Sequence, residues 1–149
     1  MHNRLALALV AVFHIAFGST ADAQTLVVKD AWVRTAPPGA PTAAYMTIEN
    51  ESTTPAKIVR VASDDFGRAE MHETVMKKDV ASMRPVDALE VPARGKVTLA
   101  PGGLHLMLYR PARAYGPGDV LHLTLHLEDG RRIPVVATAY KGRPADHAH

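Results

Sequence analysis

The stretch "DVLHLTLHLEDGRRIPVVATAY", residues 119–140, decides the fold class. Leu121, Leu123, Leu125 and Leu127 recur at every second position, with His122, Thr124 and His126 between them. Successive side chains of a strand point to opposite faces, so this pattern predicts a strand with one buried and one wet face. On that alternation His122 and His126 face solvent. Asp129-Gly130 then marks a turn, read as a type I′ hairpin dipeptide, and a second apolar run follows. A β-hairpin is therefore expected here.

Working outward, the same grammar repeats. "TLVVKDAWVR" is rich in β-branched residues and is broken by "APPGAP", with three prolines and a glycine. "TAAYMTIEN" reads as a further strand, closed by Asn50-Glu51-Ser52. "AKIVRVAS" alternates Ile58, Arg60 and Ala62 against Val59 and Val61. "AEMHETVM" and "VASMRPV" are shorter and less regular, and "ALEVPARGKVTLAPGG" reads as strand, turn, strand. No segment carries a sustained 3.6-residue period. Seven to nine short strands in one domain predict an all-β, antiparallel Greek-key β-sandwich. Trp32, Tyr45 and Met46 are expected to pack within it.

Composition limits the functions open to such a domain. The chain has 149 residues, 47% of them hydrophobic and 21% charged, with a net charge of +2. That is enough apolar material for a core, and there is no basic cluster of the kind nucleic acid requires. Cysteine is absent, which removes disulfides, thiolate zinc, iron–sulfur clusters, thiol catalysis and the thiolate of a blue-copper centre. No hydrolase or phosphate-loop motif occurs; "PGG" at 101–103 and "GPGD" at 116–119 are turn glycines. A non-enzymatic role is expected.

The N-terminus predicts export. Arg4 precedes an apolar run from Leu5 to Gly18, and Ala21-Asp22-Ala23 has the A-x-A form of a cleavage site. The run is too short to span a bilayer and is interrupted by His14. Residues 1–23 are thus read as a signal peptide of the ordinary Sec route, and residues 24–140 as the folded domain. No stable membrane insertion of the mature chain is expected, and its destination is read as the periplasm. Residues 141–149, "KGRPADHAH", have no apolar content to bury and form a flexible His-containing tail.

The remaining chemistry lies in soft ligands. Six Met and eight His are present, and Met71, Met76, Met83 and Met107 share one region with His72 and His105. Methionine usually fills core gaps; by period 2 Met76 shares the face of His72 and Met71 takes the opposite one, and core packing is favoured for both over service as a spare thioether beside the site. Thioethers combined with imidazoles, however, suit Cu(I), whereas magnesium and calcium take oxygen ligands. His105 and Met107 sit at i and i+2 of "GGLHLMLY", so both leave one strand face while Leu104, Leu106 and Leu108 turn to the core. An H-x-M is expected about 0.3 times by composition and carries little alone.

The wider spacing carries more. His72, ten residues, Met83, twenty-one residues, His105, one residue and Met107 give H-x10-M-x21-H-x-M, a preset pattern with a chance on the order of 1 in 2,000 at this composition. It resembles the signature of the periplasmic copper chaperones called PCu(A)C proteins, as do "AYMTIEN", "MRPV", "EVPARGKVTLAPGGLHLML" and "GDVLHLTLHLEDG". The likeness runs from about Ala31 to Ala139. It implies a cupredoxin-like sandwich holding one Cu(I) through His72, Met83, His105 and Met107. It further implies copper delivery toward cytochrome c oxidase, to an oxidase subunit or a Sco-type chaperone. Some relatives carry Cu(II)-binding C-terminal extensions, for which His147 and His149 are the counterparts here. Copper scavenging or buffering, and a metal-free sandwich acting as an interaction module, are the alternative roles.

Overall fold

The computed structural model describes residues 25–144. The expected signal peptide and the tail histidines His147 and His149 lie outside the described residues. Within them the chain is all β, with strands β1 (Leu26–Arg34), β2 (Thr42–Asn50), β3 (Ala56–Ser63), β4 (Phe66–Lys77), β5 (Val80–Pro85), β6 (Leu89–Val91), β7 (Lys96–Leu99), β8 (Leu104–Pro111), β9 (Val120–Leu127) and β10 (Arg132–Tyr140). Ten strands form where seven to nine were expected; β6 and β7, of three and four residues, pair with β3 and β2 respectively. Among the described residues no helix is long and apolar enough to cross a membrane.

The strands run in the order β5-β4-β8-β2-β1-β10-β9-β3-β6, with β7 also on β2. Every ladder is antiparallel except β1 with β10. One apolar cluster takes Met71, Leu106, Leu108 and Ile48 from β4, β8 and β2 together with Ile58, Leu121, Leu123, Leu125 and Ala137 from β3, β9 and β10. Strands so far apart along the path can share a core only if the path folds over on itself. This is the expected sandwich, with β1 carrying the chain between its layers.

Two irregularities place residues that simple alternation misplaces. In β3 the register shifts between Ile58 and Arg60, so Ile58 and Val61 both enter the core and Val59 is exposed. The alternation read from the sequence had set Ile58 and Val61 on opposite faces; a bulge inserts one residue and resets the phase. In β1 the shift falls between Lys29 and Trp32, with Asp30 at φ 56°. Val33 then packs in the main core, while Trp32 joins Ala43 and Tyr45 in a second cluster on the outer face of the β4-β8-β2 layer.

The turns also differ from expectation. The β9–β10 hairpin is present, but Leu127 pairs with Arg131 and only Gly130, at φ 89°, has a positive φ. A type I′ turn needs positive φ at both central residues, so Asp129-Gly130 instead closes a three-residue loop ending in a left-handed glycine. The positive-φ pair occurs between β4 and β5, where Lys78 and Asp79 stand at φ 49° and 62° between the paired Lys77 and Val80.

Candidate metal site

The site is built by register. His72 of β4 stands directly opposite His105 of β8 and, on its other side, opposite Pro85 of β5. Thr74 faces Met83, and Glu70 faces Met107. Directly opposed residues project from the same face. His72, Met83, His105 and Met107 therefore leave one face of three adjacent strands. It is the face opposite Met71, Leu106 and Leu108, which are buried in the core as expected. Leu104 is only partly buried at the end of β8.

Both imidazoles are oriented from behind. His105 is 4% exposed, and its Nδ1 lies 2.9 Å from the carbonyl oxygen of Gly103. A carbonyl can only accept, so Nδ1 carries the proton and donates, leaving Nε2 as a bare lone pair. His72 Nε2 donates to Glu70 Oε2 at 3.0 Å, which leaves Nδ1 bare. The two bare atoms, His72 Nδ1 and His105 Nε2, are buried and without a hydrogen-bond partner, and the ring centroids are 6.0 Å apart. A buried polar atom left unpaired costs about 1–3 kcal/mol. Two such atoms on facing residues, each with its other nitrogen pinned, match the way metal-bound histidines are held.

The pinning groups are themselves fixed. Ala100-Pro101-Gly102-Gly103 closes through the Gly103 amide donating to the Ala100 carbonyl, with Gly102 at φ 84°. That is the proline-then-glycine form of a type II turn. The Gly103 carbonyl also accepts the Thr74 amide at 3.1 Å. Glu70 Oε1 meets Arg68 Nε at 3.3 Å, and the Arg68 guanidinium lies 4.2 Å from the Tyr109 ring centre. Neither Glu70 nor the Gly103 carbonyl was found from the sequence. Glu70 stands two residues before His72 on the same face of β4, and Gly103 two residues before His105 in the turn that leads into β8, signals readable only once the strands are placed.

The thioethers differ in setting. Met107 is partly buried against Trp32, Ala43 and Tyr45, with the Trp32 and Tyr45 rings 4.6 Å apart. Met83 is 61% exposed on β5. Together with His105, Thr74 and Tyr45 they line a cavity of about 480 Å³, rimmed by residues 34–37 and the Pro101-Gly102 turn. Burial pushes the Tyr45 hydroxyl above its ordinary pKa, and the Arg34 guanidinium over its ring pulls it partly back. A larger hollow of about 790 Å³ beside Glu49, Glu51, Arg94 and Lys96 holds no imidazole or thioether. Among the described residues, no group of three or more His, Cys, Asp or Glu is arranged to hold a metal. The face gathers two imidazoles and two thioethers, side-chain types that a soft monovalent ion prefers.

The other sequence-marked residues lie elsewhere. Met46 and Met71 are core residues. Met76 is not, contrary to expectation: it is 67% exposed among the described residues, near the tip of the hairpin that β4 forms with the edge strand β5. His122 faces solvent beside Asp65, and His126 is partly exposed between Arg60 and Arg132.

An all-β sandwich with this His/Met face has the fold of the PCuAC domains. The copper-bound PCuAC domain of PmoF2 superposes with a TM-score of 0.65 at 24% identity, over 78% of this chain and 93% of that domain. The chain belongs to the LpqE-like family, which it matches over residues 26–139. The Cu(I) form of the protein DR1885 from Deinococcus radiodurans is 36% identical, with a TM-score of 0.64, over 85% of this chain and 84% of that one. A lipoprotein of Leifsonia xyli subsp. xyli is 33% identical over 109 residues; the match takes in 72% of this chain and 65% of that protein's length.

Proposed function

We propose that the protein is an exported copper chaperone that binds one Cu(I) through His72, Met83, His105 and Met107 and passes it to a partner. The observation that carries this reading is the pair of buried, unpartnered ring nitrogens, His72 Nδ1 and His105 Nε2, on a face shared with two thioethers. Cu(I) is a soft ion that favours sulfur and accepts neutral ligands, so this set adds no ligand charge to the half-apolar cavity and leaves only the ion's single positive charge. The Cu(I) form of the Deinococcus protein supports the choice of ion. Copper stays Cu(I) throughout; each step exchanges one ligand for another. The recipient is a copper-receiving protein such as an oxidase subunit or a Sco-type chaperone, and the compartment is the periplasm, reached after removal of residues 1–23. His147 and His149 form a separate Cu(II) site on the tail, tested by comparing Cu(II) uptake with a chain ended at residue 144.

Anaerobic titration of residues 24–149 with Cu(I) against a chromophoric chelator tests the site. One tightly held equivalent is expected, weakened in His72→Ala, Met83→Ala, His105→Ala and Met107→Ala alike. A wild-type chain that releases Cu(I) to a weak chelator at stoichiometric levels would sink the reading, and would favour a metal-free interaction module.

A further inference from the structure

Of the five methionines in the described residues, Met46 and Met71 are buried and Met107 is half-buried; Met76 and Met83 are the exposed ones. Both lie on the β4–β5 hairpin. Met76 stands opposite Ala81, and Met83 opposite Thr74. Met76 and Met83 are therefore diagonal neighbours on one face, about 7–8 Å apart by strand geometry. That face is the one bearing His72 and His105, and Met76 is two positions beyond Thr74 toward the hairpin tip.

The two faces of this hairpin differ sharply in chemistry. One carries Glu73, Lys77 and Arg84, with Arg84 bound to Glu73 at 2.7 Å. From His72 outward the other carries His72, Thr74, Met76, Ala81, Met83 and Pro85, with no charge among them. A methionine left in water forgoes about 1.5–3 kcal/mol of burial, and exposed strand positions favour β-branched residues over it. Packing therefore gives no reason for a thioether at Met76, whereas its diagonal placement beside Met83, itself diagonal to His72, does.

We propose that Met76 is a receiving ligand for Cu(I), forming with Met83 a two-thioether station through which the ion enters and leaves the four-ligand site. The proposal rests on the copper reading above. On entry the Met76 sulfur bonds to the ion as a ligand of the donor leaves, and Met83 then bridges the ion inward to the imidazoles; on exit the Met76 sulfur bonds as a ligand of the four-residue site leaves, and a ligand of the acceptor then displaces it. No electron or proton is transferred. Because Met76 is tethered next to Met83, it acts at a high local concentration, and its loss slows exchange without changing the final site.

The test compares wild type with Met76→Leu, which keeps size and apolarity at an exposed position. Transfer of Cu(I) from the loaded protein to a chromophoric chelator is expected to slow about tenfold, with the equilibrium affinity held within about twofold. In protein labelled at the methionine methyls, a second equivalent of Ag(I), used as a redox-inert soft probe, is expected to shift Met76 together with Met83. Equal transfer rates in the two proteins, or a Met76 methyl that excess Ag(I) leaves unmoved, overturn the proposal while the four-ligand site stands. A wild-type chain that takes up no Cu(I) overturns both.

Discussion

Removing the carboxylate of Glu70 is the most direct probe of how His72 is held. Glu70 Oε2 accepts from His72 Nε2 at 3.0 Å, and its Oε1 is engaged by Arg68 at 3.3 Å. A hydrogen bond with one charged partner contributes about 1.5–3 kcal/mol when well shielded. The His72 side chain is 13% exposed, but Glu70 is 37% exposed and shared with Arg68, so solvent and the competing cation reduce this to about 1 kcal/mol. In Glu70→Ala the imidazole is free to turn, and Cu(I) binding is expected to weaken about five- to tenfold. Glu70→Gln keeps an oxygen that can accept, at neutral strength, and should lose about two- to threefold. The assay is competitive Cu(I) titration at fixed pH, with thermal unfolding of the metal-free variants as a control for folding. Binding by Glu70→Ala within twofold of wild type would show that His72 is positioned by its strand alone. A larger loss in Glu70→Gln than in Glu70→Ala would refute the role of the accepting oxygen.

Four further outcomes are expected. Long-range proton–nitrogen spectra of the metal-free protein at about pH 8, where an unperturbed imidazole is neutral, should show His105 protonated at Nδ1 and His72 at Nε2; the reverse for either ring would contradict its hydrogen bond. Gly102→Ala places a Cβ in open space but at φ 84°, so it should cost about 1–2 kcal/mol in chemical denaturation and disturb the Gly103 carbonyl behind His105. Asn50 donates to the Thr54 and Val91 carbonyls and accepts from the Ser52 amide and hydroxyl; Asn50→Ala removes the acceptor of the buried Ser52 amide, while the Ser52 hydroxyl keeps the Thr54 carbonyl, and should destabilise by about 1–3 kcal/mol, an effect absent if water fills the gap. His126 is held below the ordinary value of 6.5 by its partial desolvation and by the Arg60 and Arg132 guanidiniums. Its stabilising contribution is therefore full above 6.5 and falls away as pH drops through its lowered pKa, and Arg60→Gln should raise that pKa in an NMR titration.

What the sequence disclosed and what it concealed follow from the range of the forces involved. The leucine alternation in β9 reports burial on one face and is visible in any window of eight residues. The shared face of His105 and Met107 follows from the same rule. The bulges in β1 and β3 leave no such mark, because Asp30 and Val59 are ordinary residues and the phase shift is imposed by partners distant in sequence. Asp129-Gly130 fits more than one hairpin turn; which forms depends on Leu127 pairing with Arg131, a matter of register. The whole of β5 is exposed, so it lacks the apolar alternation that identifies a strand, and the surroundings of Met76 and Met83 could not be read. Glu70 stayed hidden for a related reason: its role needs β4 to be placed before its neighbour two residues on is known to share its face.

In the proposed site the four ligands are unequal, and the inequality has a direction. His105 and His72 are pinned through their second nitrogens, and detaching the ion from either restores a buried lone pair with nothing to bond it, at about 1–3 kcal/mol each. Met83 sits on an exposed edge strand, and detaching its sulfur returns a flexible side chain to water with no polar atom left unpaired. Ligand replacement therefore begins at sulfur and ends at nitrogen. A partner approaching the open edge would meet the easily displaced Met83 sulfur first, while the imidazoles hold the ion until the new bonds have formed. Exchanging Met83 and His105, with a histidine on the edge strand and two methionines on β8, would give the same donor set and lose this order. In the proposed site, one thioether on the exposed edge strand with buried imidazoles behind it would suit the face to handing copper on as well as holding it.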